Sequence, residues 1–95
     1  MTLIILFFLV IKEAGILLRE NAKDLVLNYM NNEPLCQKDA EGIRLSELFR
    51  NCGFDWGEYE NSTSSNQQYW VVALIRELEK EKKVERLESK KWRLC

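Results

Sequence analysis

A chain of 95 residues, 46% hydrophobic and 31% charged, can bury one core of modest stability; that excludes a disordered chain and fits one ordinary domain. The net charge of −1 is unevenly spread: Met1 to Ile75 carries 6 basic and 10 acidic residues, and Arg76 to Cys95 carries 8 basic and 5 acidic. Basic residues thus collect at the C-terminal end, where a nucleic-acid footprint needs them, although the interleaved acids also suit a solvated face of mixed charge.

Cys36, Cys52 and Cys95 are the only cysteines, and there is no histidine. Without a Cys-x-x-Cys pair or an imidazole, no zinc spacing exists and no metal or cofactor is expected. An odd, sparse cysteine count argues against a secreted disulfide scaffold, so a reducing, cytoplasmic setting is the simpler expectation. Cys52 reads as a small buried apolar residue, and Cys36 and Cys95 as incidental. Nothing in the chain points to catalysis. No histidine can serve as base, no glycine-rich loop can cradle phosphate, and no Ser or Cys has a visible activating partner. Asp55, Glu58 and Glu60 fall in a polar stretch without a metal pattern. A binding protein is expected rather than an enzyme.

Leu3 to Ile11 is an unbroken apolar run, LIILFFLVI. As a helix it covers about 14 Å, against about 30 Å of membrane hydrocarbon. Extending it to Leu18 reaches a spanning length but takes in Lys12 and Glu13, each costing on the order of 3 kcal/mol in a bilayer. No basic residue precedes the run and no small-x-small cleavage site is clear, so a signal peptide fits only in part. A helix or strand that packs on the domain or joins two copies is favoured. Membrane association and the tail of a longer protein are the alternatives. Residues 1–20 are therefore set apart from a domain over residues 21–95.

Asn21 is a good N-cap, followed by Ala22, Leu25, Val26, Tyr29 and Met30 at helical spacing. Leu18 continues the stripe upstream, so this first helix can begin before Asn21. Pro34 ends it. Residues 37–42 are polar and predict a loop. Ile43 and Leu45 lie on one face of a short extended piece leading into Ser46, a strong N-cap. Leu48, Phe49 and Cys52 then form the apolar face of a short second helix, with Gly53 placed to supply a left-handed C-cap.

Residues 54–65 form a long polar connection in which Phe54, Trp56 and Tyr59 are expected to cover the edge of the core. Asn61-Ser62-Thr63 fits a glycosylation pattern, against the cysteine reading. Ser65 and Gln68 form a capping box for a third helix, whose core stripe is Val71, Leu74, Ile75 and Leu78. After Lys83 the period changes. Val84 to Leu87 and Lys91 to Leu94 read as two strands joined through Glu88-Ser89-Lys90, with Trp92 and Leu94 facing in and Lys91 and Arg93 facing out.

The resulting fold class is mainly α with a small β-hairpin: three helices and a C-terminal two-stranded hairpin, preceded by an apolar N-terminal helix or strand. The stretches GIRLSELFRNCG (42–53) and ALIRELEKEKKVERLESKKWRL (73–94) resemble the winged helix-turn-helix superfamily of DNA-binding domains. They are similar to many microbial winged-helix proteins and to the winged-helix modules at the ends of some restriction endonucleases. The resemblance covers about four-fifths of the chain and is moderately specific for fold. It departs from the pattern in three places. Lys82-Lys83 follows the third helix and Ser89-Lys90 occupies the wing tip, where such domains often have glycine, and the connection before the third helix is long.

The resemblance implies binding to double-stranded DNA, with the third helix in the major groove and the wing on the backbone, in transcriptional regulation or as the DNA-binding module of a larger system. Asn66, Gln67 and Gln68 would then read the bases, since Asn and Gln can bond adenine through two contacts, with Ser65 and Tyr69 also among the DNA-binding residues. Arg76, Lys80, Lys90, Lys91 and Arg93 would hold phosphate. Capping explains the polar first turn without DNA, and i,i+4 pairing with glutamates explains Arg76 and Lys80. A protein-interaction winged helix without DNA binding is the alternative, favoured by Glu77, Glu79, Glu81, Glu85 and Glu88. Such domains often dimerise, and Leu3 to Ile11 could join two copies.

Overall fold

The computed structural model describes residues 3–54 and 65–95, with side chains described from Trp70 onward in the second stretch. Three helices, α1 (Leu3–Asn31), α2 (Leu45–Asn51) and α3 (Ser65–Lys80), precede an antiparallel hairpin of β1 (Val84–Arg86) and β2 (Trp92–Leu94). The architecture is mainly helical with a small two-stranded sheet, as the periodicity predicts.

Helix α1 differs from expectation at its start. Asn21 caps nothing; it lies well inside a continuous helix of 29 residues. Gly15 is the only strong breaker upstream, and one interior glycine costs only about 1 kcal/mol relative to Ala. The helix therefore runs through. Its C-terminal third is amphipathic, with Val26 and Met30 fully buried, whereas residues 3–21 are all exposed.

The exit from α1 is closed by a side chain. Gln37 donates its amide to the carbonyls of Met30 (2.9 Å), Asn31 (3.2 Å) and Glu33 (2.8 Å). These include helix-end acceptors that have no intrahelical donor. Asn32 adds a bond to the Asn28 carbonyl at 2.8 Å. Glu33 then accepts from the Leu35 amide and opens a short turn, Pro34–Cys36.

Ile43 exchanges both backbone hydrogen bonds with Trp92, each 2.8 Å, as an isolated antiparallel bridge. The backbone of Trp92 is thus flanked by Ile43 on one side and Arg86 on the other. Pinning residue 43 moves the start of α2. Arg44, in extended backbone, occupies the N-cap position and its carbonyl takes the Leu48 amide at 2.9 Å, so Ser46 sits inside the helix and is not the cap.

Gly53 does close α2 in the left-handed region (φ 76°). Its amide bonds Arg50 and the next amide bonds Phe49, the two hydrogen bonds of a Schellman ending. Phe54 stacks back on Phe49 with centroids 6.1 Å apart, and Trp70 of α3 joins them, 5.0 Å from Phe54. Phe54 covers the core edge as expected; Trp56 and Tyr59 lie outside the described residues.

The core sits where these elements meet. Val71, Leu74, Ile75 and Leu78 are all buried, as the stripe on α3 predicts, and they pack with Val26, Met30, Leu48, Phe49, Val84 and Trp92. Cys36 and Cys52 exchange their expected places: Cys36 is fully buried and Cys52 only partly. The turn after Pro34 folds Cys36 under the end of α1, which spacing along a helix cannot reveal.

Candidate nucleic-acid interface

Helix α3 and the hairpin carry every residue singled out for contact with DNA. Ser65, Asn66, Gln67, Gln68 and Tyr69 form the start of α3 in backbone. Their side chains, and with them the capping box, lie outside the described residues.

The five basic candidates fall into two groups. Lys80, in the last turn of α3, and Lys90, in the hairpin turn, are exposed. Arg76, Lys91 and Arg93 are already engaged. The Arg76 guanidinium pairs with Glu79 at 2.9 Å and lies over the Trp92 ring, 5.5 Å from its centroid. That contact supports the hairpin against α3 through the attraction of a cation to an aromatic face.

Lys91 and Arg93 are half-buried and do not project freely from the strand. Lys91 donates to Glu41 at 2.6 Å and holds its carboxyl below the usual carboxylate range. Arg93 donates from Nε to Glu85 (2.9 Å) and from Nη1 to the Ala40 carbonyl (2.8 Å). The chain leading into the Ile43 bridge runs beside β2, so side chains expected to face solvent lie across residues 40 and 41.

A second cluster joins α1 to α3. The Lys23 side chain, only 4% exposed, donates to Glu81 (2.6 Å), Glu77 (3.2 Å) and Glu20 (3.4 Å). Burial opposes its charge, but those carboxylates outweigh burial and raise its pKa above the ordinary lysine value. In turn the Lys23 hydrogen bond holds the Glu81 carboxyl below its usual range. Arg19 reaches Glu77 at 3.8 Å, and Lys83 reaches Glu81 at 3.5 Å. Two of the acids counted against DNA binding are therefore committed to holding helices together. A signal for this existed in the sequence: Lys23 precedes Val26 and Met30 at i, i+3, i+7, a charge placed on a core stripe.

Beside this cluster, Leu18, Arg19 and Ala22 of α1 and Trp70, Ala73, Leu74 and Glu77 of α3 line an open, largely apolar groove of about 390 Å³.

Burial pushes the Cys36 thiol up to about 11, with the Glu33 carboxylate adding to the effect, and burial also raises Cys52. Neither is a thiolate at neutral pH, the form needed for attack or metal binding. Among the described residues no group of three or more Cys, Asp or Glu side chains could hold a metal ion, and no helix is long and apolar enough to cross a membrane.

Compared with models of protein families, with characterised proteins and with solved structures, the chain matches none.

Proposed function

We propose that this protein binds double-stranded DNA through a winged-helix arrangement, with α3 in the major groove and the β1–β2 hairpin on the backbone, as a transcriptional regulator or the DNA-binding module of a larger system. The observation that carries the reading is the Ile43–Trp92 bridge. It sets an extended residue before α2 beside β2, so that β2 is the central member of a three-part sheet and α2 and α3 lie in sequence between its two outer members, Ile43 and β1. That order supports a winged-helix reading, in which the start of α3 and the hairpin turn would meet the duplex.

The ion pairs divide the work among the basic residues. Lys80 and Lys90 are available to phosphate. Arg76 can exchange Glu79 for phosphate at little loss, because exposed pairs are worth about 0–1 kcal/mol. Lys91 and Arg93 brace the hairpin. About three phosphate contacts then give a log–log salt slope near −3, shallow for a DNA-binding domain.

Fluorescence anisotropy of the full chain on mixed-sequence duplex, from low to moderate salt, tests this. Lys80→Gln with Lys90→Gln should weaken binding and flatten the slope by about 2. No binding to mixed or random duplex at low salt would remove the reading. A protein-interaction winged helix is then the better account. It is favoured by one observation: Arg76, Lys91 and Arg93 each already hold a carboxylate.

A further inference from the structure

The twelve large apolar residues between Leu3 and Leu18 present between 42% and 85% of their surfaces. At roughly 150–200 Å² per side chain they expose on the order of 1,200 Å², about twice the largest apolar patch of a typical monomer. These residues lie on every side of the helix, so one face with its flanking side chains offers only part of that area, against the roughly 800 Å² that a standard interface removes from each partner.

A stripe on α1 shows how a second copy would fit. Leu18 and Ala22 line the groove against α3. Stepping back along the helix in alternating fours and threes, the same face carries Gly15, Ile11, Phe8 and Ile4. Lys12 and Glu13, the only charges between Leu3 and Leu18, fall between its positions. The 4-3 spacing is that of a two-stranded helical seam.

We propose that two copies of this chain pair through α1 in antiparallel orientation, about an axis near residue 13, with Ile4 of each copy seated in the groove of the other. In that register Ile4 faces Ala22, Phe8 faces Leu18 and Ile11 faces Gly15. Large residues meet small ones at the ends and near the axis. A Cβ at Gly15 would meet no atom within 4 Å in one copy, so the space there is open to the facing Ile11. A parallel pair would set Gly15 against Gly15 and Ala22 against Ala22, leaving gaps, and would never bring Ile4 to a groove. The antiparallel contact is isologous and closes on itself, which limits assembly through this seam to two copies. It stands whether or not the chain binds DNA.

Sedimentation equilibrium of the full chain at tens of micromolar should give twice the 11.3 kDa chain mass. Phe8→Asp should halve that mass while leaving the thermal transition of the domain in place, because Phe8 is exposed and far along α1 from the core. Orientation is read by oxidising a mixture of Phe8→Cys and Leu18→Cys chains, each in a Cys95→Ser background. Antiparallel pairs give the mixed disulfide between the two variants. Predominant Phe8→Cys homodimers would overturn the orientation, and a wild-type mass of one chain would overturn the pairing. Monomers that float with phosphatidylcholine vesicles, and lose this with Phe8→Asp, would assign the face to lipid and also overturn it.

Discussion

Lys82 and Lys90 hold φ angles of 63° and 71°, a region that L side chains enter at a cost and glycine enters freely. These are the two places where the resemblance called for glycine. Lys82 follows the end of α3, where the Lys82 and Lys83 amides bond Glu79 and Leu78 in a Schellman ending. Lysine here holds a backbone conformation that glycine adopts more readily. Lys82→Gly and Lys90→Gly should each stabilise the protein by about 0.5–1 kcal/mol, read as higher urea midpoints with unchanged slope. A lower midpoint for both would mean that the lysine side chains contribute more than their strain.

Gly42 is the opposite case. It is buried at φ 89°, and a Cβ there would sit 3.0 Å from the Leu87 and Lys91 side chains and 3.1 Å from the Trp92 carbonyl. Gly42→Ala should cost about 2 kcal/mol from backbone strain and the clash together, measured by chemical denaturation. The need for glycine at 53 was legible because it ends an apolar stripe. The need at 42 was not, since the atoms that crowd it belong to residues more than forty positions away.

At the scale of elements, the buried Lys23 adds a polar tie to the packing of α1 on α3, through Glu77 and, just past the end of α3, Glu81. Lys23→Met would leave Glu20, Glu77 and Glu81 close together without their shared cation, and should destabilise by about 2 kcal/mol. The pH dependence follows from the two shifts. Lys23 is raised above its unfolded value, so its contribution is complete below about pH 10 and is lost as pH climbs through the folded value. Glu81 is lowered, as is Glu41 on Lys91, so their contributions are complete above the unfolded carboxylate value of about 4.3 and fade as pH falls through the folded ones. Wild-type urea midpoints should therefore vary little from these groups between about pH 5 and pH 9 and fall on the acid side. In Lys23→Met the acid-side fall should be smaller, because protonating Glu81 then removes no bond to Lys23.

The elements themselves were largely readable. The stripe on α3, the Gly53 ending and the hairpin at Val84–Leu94 follow from period and turn chemistry. Two helix starts were not. Asn21 is a good cap that goes unused because helix-permissive residues continue upstream. Ser46 loses its place because the Ile43 bridge fixes the chain just before it. In both cases a longer-range constraint overrides a local preference of about 1 kcal/mol.

At the scale of the whole molecule, α1 sets the shape. The Cα radius of gyration is 15.6 Å, against about 12 Å for a compact chain of this length. The longest extent is 54 Å, most of it accounted for by one helix of 29 residues at about 1.5 Å each. A monomeric Phe8→Asp variant should keep this elongation. Small-angle scattering near 15.6 Å for that variant would show that α1 extends from the domain without a partner; a value near 12 Å would show that it folds back.

Local chemistry by itself determined the helices and the hairpin seen among the described residues, because periodicity, caps and turn residues act over a few positions. It also marked the basic C-terminal end and the apolar N-terminal one. Only tertiary structure decided what those residues are used for. Arg93 and Lys91 are braced on residues 40 and 41, Glu77 and Glu81 surround a buried lysine, and the α1 stripe leads into a groove made partly by α3. Each depends on contacts between residues distant in sequence, and electrostatic and packing energies depend on distance in space.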